Sequence, residues 1–256
     1  MDVPLPAIAA LFCVAFVAGL VDAIAGGGGL LTVPALLMAG LPPHVVFGTN
    51  KGSAVFGSLS ALLRFWRAGL VDKPRARLLF PFGMIGSFGG AALVLLVKPD
   101  VLKPVVLVLL IAAGAVVAFV RPPADAGQRP APKKAVLEGI LIALVIGAYD
   151  GFFGPGTGTF LIIAFVVVLH FSLQQASANA KVVNFASNVA AVALFTARGL
   201  VLWKVAIPMA VAQFLGGTTG AHLAVEGGDR VVRRVVLVVV LAFVARLGYD
   251  VWTSSR

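Results

Sequence analysis

Charge is scarce in this 256-residue chain: Asp, Glu, Lys and Arg together make up 12% of it, while 60% of the residues are hydrophobic. Soluble domains average about a quarter charged residues, so this composition cannot cover an ordinary water-exposed surface. The one cysteine, Cys13, excludes an internal disulfide and a cysteine metal cluster. Acidic residues number 10 against 20 basic ones, a formal net charge of +10. No basic run with interleaved aromatics accompanies that excess, which argues against a nucleic-acid partner. The lysines and arginines gather instead between apolar stretches, as membrane orientation signals do. A nucleophile–base–acid set and spaced metal ligands are also missing, so the residues support neither an enzyme nor a bound metal or other cofactor.

Long apolar stretches are what the chain does have. They fall at 5–40, 44–66, 76–97, 101–120, 136–169, 173–197, 201–225 and 231–252, and the mean hydropathy is +1.05. A spanning helix needs about 20 residues to cross roughly 30 Å of hydrocarbon. The fold class expected is all-α, a polytopic transmembrane helical bundle of eight main spans embedded in a lipid bilayer. The first stretch exceeds a bare signal peptide and is expected to stay in the fold.

A linker rich in Pro, Gly and Ala, "RPPADAGQRPAPKK" at 121–134, divides the chain almost in half. The halves, 1–120 and 135–256, resemble each other. "GLVDAIAGGGG" at 19–29 aligns with "GAYDGFFGPGT" at 147–157, and "TNKGSAVFGS" at 49–58 with "NAKVVNFASN" at 179–188. "AGLV" at 68–71 meets "RGLV" at 198–201, "PFGMIGSFGG" at 81–90 meets "PMAVAQFLGG" at 208–217, and "VLKPVVLVLL" at 101–110 meets "VVRRVVLVVV" at 231–240. Five matches in order, at offsets of 127 to 130 residues, indicate a duplication. Secondary transporters are often built this way, with substrate bound where the repeats meet. Residues 5–40 would extend about 54 Å as one helix, too long for one crossing and short for two. A full span, a break at 26–29 and a half-length helix at 30–40 would fit. Inverted repeats are expected, because that architecture makes most use of broken helices.

The same breaks mark the candidate site. Four glycines, Gly26 to Gly29, and "GPGTGT" at 154–159 each precede a short apolar stretch. The N-terminus of a half-helix presents free N–H groups and partial positive charge, which attract anions. Gly27, Gly28 and Gly29, with Thr32, and Gly156, Thr157, Gly158 and Thr159 are therefore candidate substrate contacts. Pro42 and Pro43 mark one helix start and Ser172 another. Lys51 and Lys181 then lie roughly 12–13 Å into their helices, close to the bilayer midplane, where a charge is expensive and usually functional. Lys181, Asn184 and Asn188 share one helical face, matched in the first half by Lys51, Ala54 and Ser58. Asp22 and Asp150, one turn before the breaks, could carry a proton or form a structural ion pair. Gln213 is a further candidate.

These motifs resemble a family. "GGGGLLTVPALLMAGLPPHVVFGTNK" at 26–51, echoed by "GPGTGTFLIIAFVVVLHFSLQQASANAK" at 154–181, is similar to the TauE/SafE sulfite exporter family, also called the toluene sulfonate uptake permease family. The resemblance implies a transporter, with export reported for some members, in the bacterial or archaeal cytoplasmic (inner) membrane. Its substrate would be a small anion such as sulfite, a sulfonate or sulfoacetate. It also brings Thr49 and Asn50, beside Lys51, into the expected site. Independently, lysines, amides and hydroxyls around two half-helix ends suit an anion, since charge assistance strengthens their hydrogen bonds. The function expected is alternating access around a midplane anion site. An anion channel and a carrier of small carboxylates are the alternatives.

Overall fold

The structure, a computed structural model, describes residues 3–119, 127 and 134–254. The linker expected at 121–134 therefore lies outside the described residues, apart from Gly127 and Lys134. Among the described residues the regular elements are all helices: α1 (Leu5–Ala25), α2 (Gly29–Met38), α3 (Pro43–Arg67), α4 (Lys73–Leu96), α5 (Pro99–Phe119), α6 (Ala135–Phe152), α7 (Thr157–Val167), α8 (Leu173–Ala197) and α9 (Trp203–Ser254). A non-helical Gly228 kinks α9.

Local chemistry explains the boundaries. Prolines open α1, α3 and α4, where their missing N–H and fixed φ cost nothing. A capping box opens α8, Ser172 accepting from the Gln175 N–H while the Gln175 side chain accepts from the Ser172 N–H. The first apolar stretch breaks where the glycines are: α1 stops at Ala25, Gly26 takes φ 75°, and α2 starts at Gly29. The second break runs from Phe153 to Gly156.

Four described helices are long and apolar enough to cross a membrane: α1, α4, α6 and α8. Large apolar side chains point outward, including Ile85 and Leu93 on α4, Leu141 and Val145 on α6, and Ile207 and Val211 on α9. Such a surface suits lipid rather than water. Inward, α3 buries Thr49, Asn50, Lys51, Ser53, Ser58 and Ser60, and α8 buries Ser177, Asn179, Lys181, Asn184, Ser187 and Asn188. The two helices thus carry most of the buried polar side chains, joined by Thr32, Ser87, Asp150, Thr157, Thr159 and Gln213 from other helices.

Packing follows one scheme twice. Gly216 and Gly220 of α9 lie against the backbone of Phe16 and Leu20 on α1; Gly86 and Gly90 of α4 lie against Leu144 and Ala148 on α6. Small residues let these backbones approach closely. The glycines of the two seams are offset by 130 residues, three more than the alignment of 81–90 with 208–217 gives. Direction follows from the contacts. Gly52, Gly57 and Arg64 of α3 meet Ala206, Gln213 and His222 of α9 in the same order, so those segments run parallel. The α1 contacts with α9 also ascend together. Likewise Gly83 and Ser87 of α4 meet Val183 and Ser187 of α8 in parallel. Between α3 and α8, Lys51 meets Asn188 and Gly48 stands opposite Phe195, on antiparallel axes.

Candidate functional site

The two glycine breaks touch. Gly26 lies against the backbone of Gly158 and Thr159, so tightly that a Cβ there would overlap both. Its positive φ independently favours glycine. Gly29 faces Pro155, and the Thr159 hydroxyl donates to the Ala25 carbonyl at 2.9 Å. Beyond its break, the chain folds back so that Gly28 sits beside Ala18 and Asp22 of α1. Consequently α1 and α2 form a hairpin whose tip meets the tip of the α6–α7 hairpin.

Beside the joined tips, α3 and α8 present their lysines, and each finds its counter-ion across the molecule. Lys51 Nζ is 2.8 Å from Asp150 Oδ1, with side chains only 3% and 2% exposed. Lys181 Nζ is 2.7 Å from Asp22 Oδ2; the lysine is 0% exposed and the aspartate 21%. Each pair joins a lysine of one half to an aspartate of the other. Buried charge is tolerable only when paired and hydrogen-bonded, and the surroundings supply those bonds. Asn184 Nδ2 and the Ser187 hydroxyl donate to Asp150 Oδ2. Lys51 also donates to Asn188 Oδ1 at 3.0 Å, and Asn188 Nδ2 donates to Ser58 Oγ at 3.2 Å. Asp22 Oδ1 accepts the Gly28 N–H at 3.2 Å, so the start of α2 already faces a carboxylate.

A small polar cavity lies among these groups. Asp22, Gly27, Gly28, Gly29, Thr32, Asn50, Lys51, Asp150, Asn184 and Asn188 line it, with Ala54, Gly154, Gly158 and Gln213. Thr32 donates to Asn50 Oδ1 at 2.6 Å, and Gln213 donates to Ser53 Oγ at 3.1 Å. Most of the expected site is thus brought together. Lys181 stands at its edge through Asp22. Other expected residues face elsewhere: Thr49 Oγ1 accepts the Leu202 N–H, and the Thr157 hydroxyl donates to the Gly154 carbonyl. Gly156 starts α7 against Ala113 and Phe160. Asn179, one position out of step with Asn50, accepts from the Asp72 N–H instead.

Two polar residues were not read from sequence. Ser187 lies three residues beyond Asn184 on the face that carries Lys181, so helical spacing alone could have found it. Ser53 lies off the face through Lys51, Ala54 and Ser58. Its relevance depends on α9 packing alongside α3.

Residues 11–247 match the family described as Sulfite exporter TauE/SafE. A probable membrane transporter protein of Haemophilus influenzae is 40% identical over 250 residues, covering 98% of each chain. The probable membrane transporter protein ORF9 of a Sinorhizobium species is 39% identical, over 97% of this chain and 95% of its own. The probable membrane transporter protein YfcA of Escherichia coli K12 is 39% identical, over 94% of this chain and 89% of its own. No solved structure matches the chain.

Proposed function

The chain belongs to the Sulfite exporter TauE/SafE family of integral membrane transporters rather than enzymes, and from that membership we propose that it carries a small sulfur oxyanion such as sulfite, a sulfonate or sulfoacetate across the bacterial inner membrane. The observation that carries this reading is the convergence of Lys51, Asn188, Asn50 and Thr32 on one buried cavity beside two touching half-helix starts. Ammonium, amide and hydroxyl donors suit the oxygens of a small oxyanion, and in a dry interior such bonds gain strength.

In this reading 1–120 and 135–256 are inverted repeats flanking the site, with eight main spans and two short re-entrant helices, α2 and α7. Support comes from direction: α3 and α8 supply equivalent lysines yet run antiparallel, and α2 turns back so that α1 and α3 point the same way. Five segments that alternate in direction leave the second half to start reversed. Rocking of one half against the other would open the cavity to each side in turn.

Transport of labelled sulfite, methanesulfonate, sulfoacetate and acetate into proteoliposomes tests the reading. Sulfur oxyanions are expected to be carried in preference to acetate, with uptake stimulated by substrate on the far side, as exchange by a carrier requires. Lys51→Ala and Lys181→Ala are expected to abolish transport in protein that still elutes as a folded species. Wild-type transport by both variants would remove the anion-site assignment. Flux without countertransport would mark a channel, and a preference for acetate a carboxylate carrier.

A further inference from the structure

The crossed ion pairs are not equal, and the difference separates the two carboxylates by role. Asp150 is 2% exposed and satisfied by Lys51, Asn184 and Ser187. Asp22 is 21% exposed, lines the cavity, and among the described residues is held by Lys181 and the Gly28 N–H. Those two donors are what an anionic substrate would seek, an ammonium and the first N–H groups of a short helix. Asp22 therefore occupies the place of an anion. Resting on the transport reading above, we propose that Asp22 is a proton-binding site, and that substrate and proton enter it together, the substrate oxygen replacing the Asp22 carboxylate on Lys181.

Charge balance gives the reason. Among the described residues, the ionisable groups around the cavity are Lys51 on α3, Asp150 on α6, Lys181 on α8 and Asp22 on α1; those described on α2, α7 and α9 add no charge to it, Gln213 being neutral. Two cations and two anions sum to zero. An incoming monoanion leaves one uncompensated negative charge in a poorly hydrated interior, at a cost of several kcal/mol. Protonation of Asp22 restores neutrality. The exchange balances: the Lys181 ammonium releases the carboxylate and takes the substrate oxygen, and the carboxylate takes up one solvated proton from the bulk solution. Asp150, shielded and with three donors, keeps its charge throughout. Because linkage is reciprocal, the anion must raise the proton affinity of Asp22 as much as the proton raises anion affinity.

Purified full-length protein in weakly buffered detergent decides the matter, with methanesulfonate as probe because its own charge does not titrate in this range, and sulfite alongside. Each bound methanesulfonate is expected to take up about one proton, and apparent Kd to rise about tenfold per pH unit wherever Asp22 is ionised in the free protein. Asp22→Asn, which keeps an oxygen for the Gly28 N–H, is expected to bind the anion with no proton uptake and a flat pH profile. A wild-type infrared difference spectrum is expected to gain a protonated carboxyl band on binding, a readout that holds even if the variant does not fold. Binding without proton uptake or such a band overturns the inference alone, as does a pH profile unchanged in Asp22→Asn. Binding of neither probe at any pH overturns the transport reading and the inference together.

Discussion

At the scale of single residues, the consequence of crossed pairing is that each lysine holds down a carboxylate contributed by the other half. Removing one partner of a buried pair typically costs about 3–5 kcal/mol, because an uncompensated charge stays behind. Lys51→Met would strand Asp150 in a site 2% exposed, whereas Lys181→Met would strand Asp22, which water reaches. Lys51→Met is therefore expected to lose roughly 3 kcal/mol or more, and Lys181→Met distinctly less. Chemical denaturation in detergent ranks the two, and a reversed order would contradict the deeper shielding of the Lys51–Asp150 pair. Sequence spacing singled out all four residues of the two pairs. It could not assign partners. Asp22 is nearer in sequence to Lys51, and only the placing of α8 beside α1 gives it Lys181.

At the scale of elements, the glycines of the first hairpin divide by surroundings rather than by backbone angle. Gly26 has φ 75° and Gly40 φ 82°, yet Gly26 is pressed against the second hairpin while nothing lies within 4 Å of a Cβ at Gly40. Alanine at either position pays for a left-handed conformation, about 1–2 kcal/mol. At Gly26 it must also push α7 away, raising the loss to about 2–4 kcal/mol. Thermal unfolding of Gly26→Ala and Gly40→Ala checks this, and equal losses would place the hairpin tips apart. The helix starts at Pro43 and Leu173 were legible because proline and a serine cap act locally. The aims of the Thr157 and Thr159 hydroxyls were not, since each depends on which backbone carbonyl the folded break brings near.

At the scale of the whole molecule, the proposed inverted arrangement makes a topological prediction. Arg67 and Arg198 end α3 and α8, both exposed, at nearly equivalent points of the two halves. In a Cys13→Ser background, Arg67→Cys and Arg198→Cys are expected to react with an impermeant maleimide from opposite sides of sealed vesicles. Labelling from the same side would require parallel repeats. The overall all-helical membrane class was plain in composition, since hydropathy is a one-dimensional property. The three-residue change of register at the α4 and α9 seams was not, because glycine pairs recur often enough to align in more than one way. The crossed pairs also make the two halves depend on each other. Each half contributes one aspartate and one lysine to the site, neither paired within its own half, so alone it is electrically unfinished. Neither half can lose its aspartate without orphaning a lysine in the other.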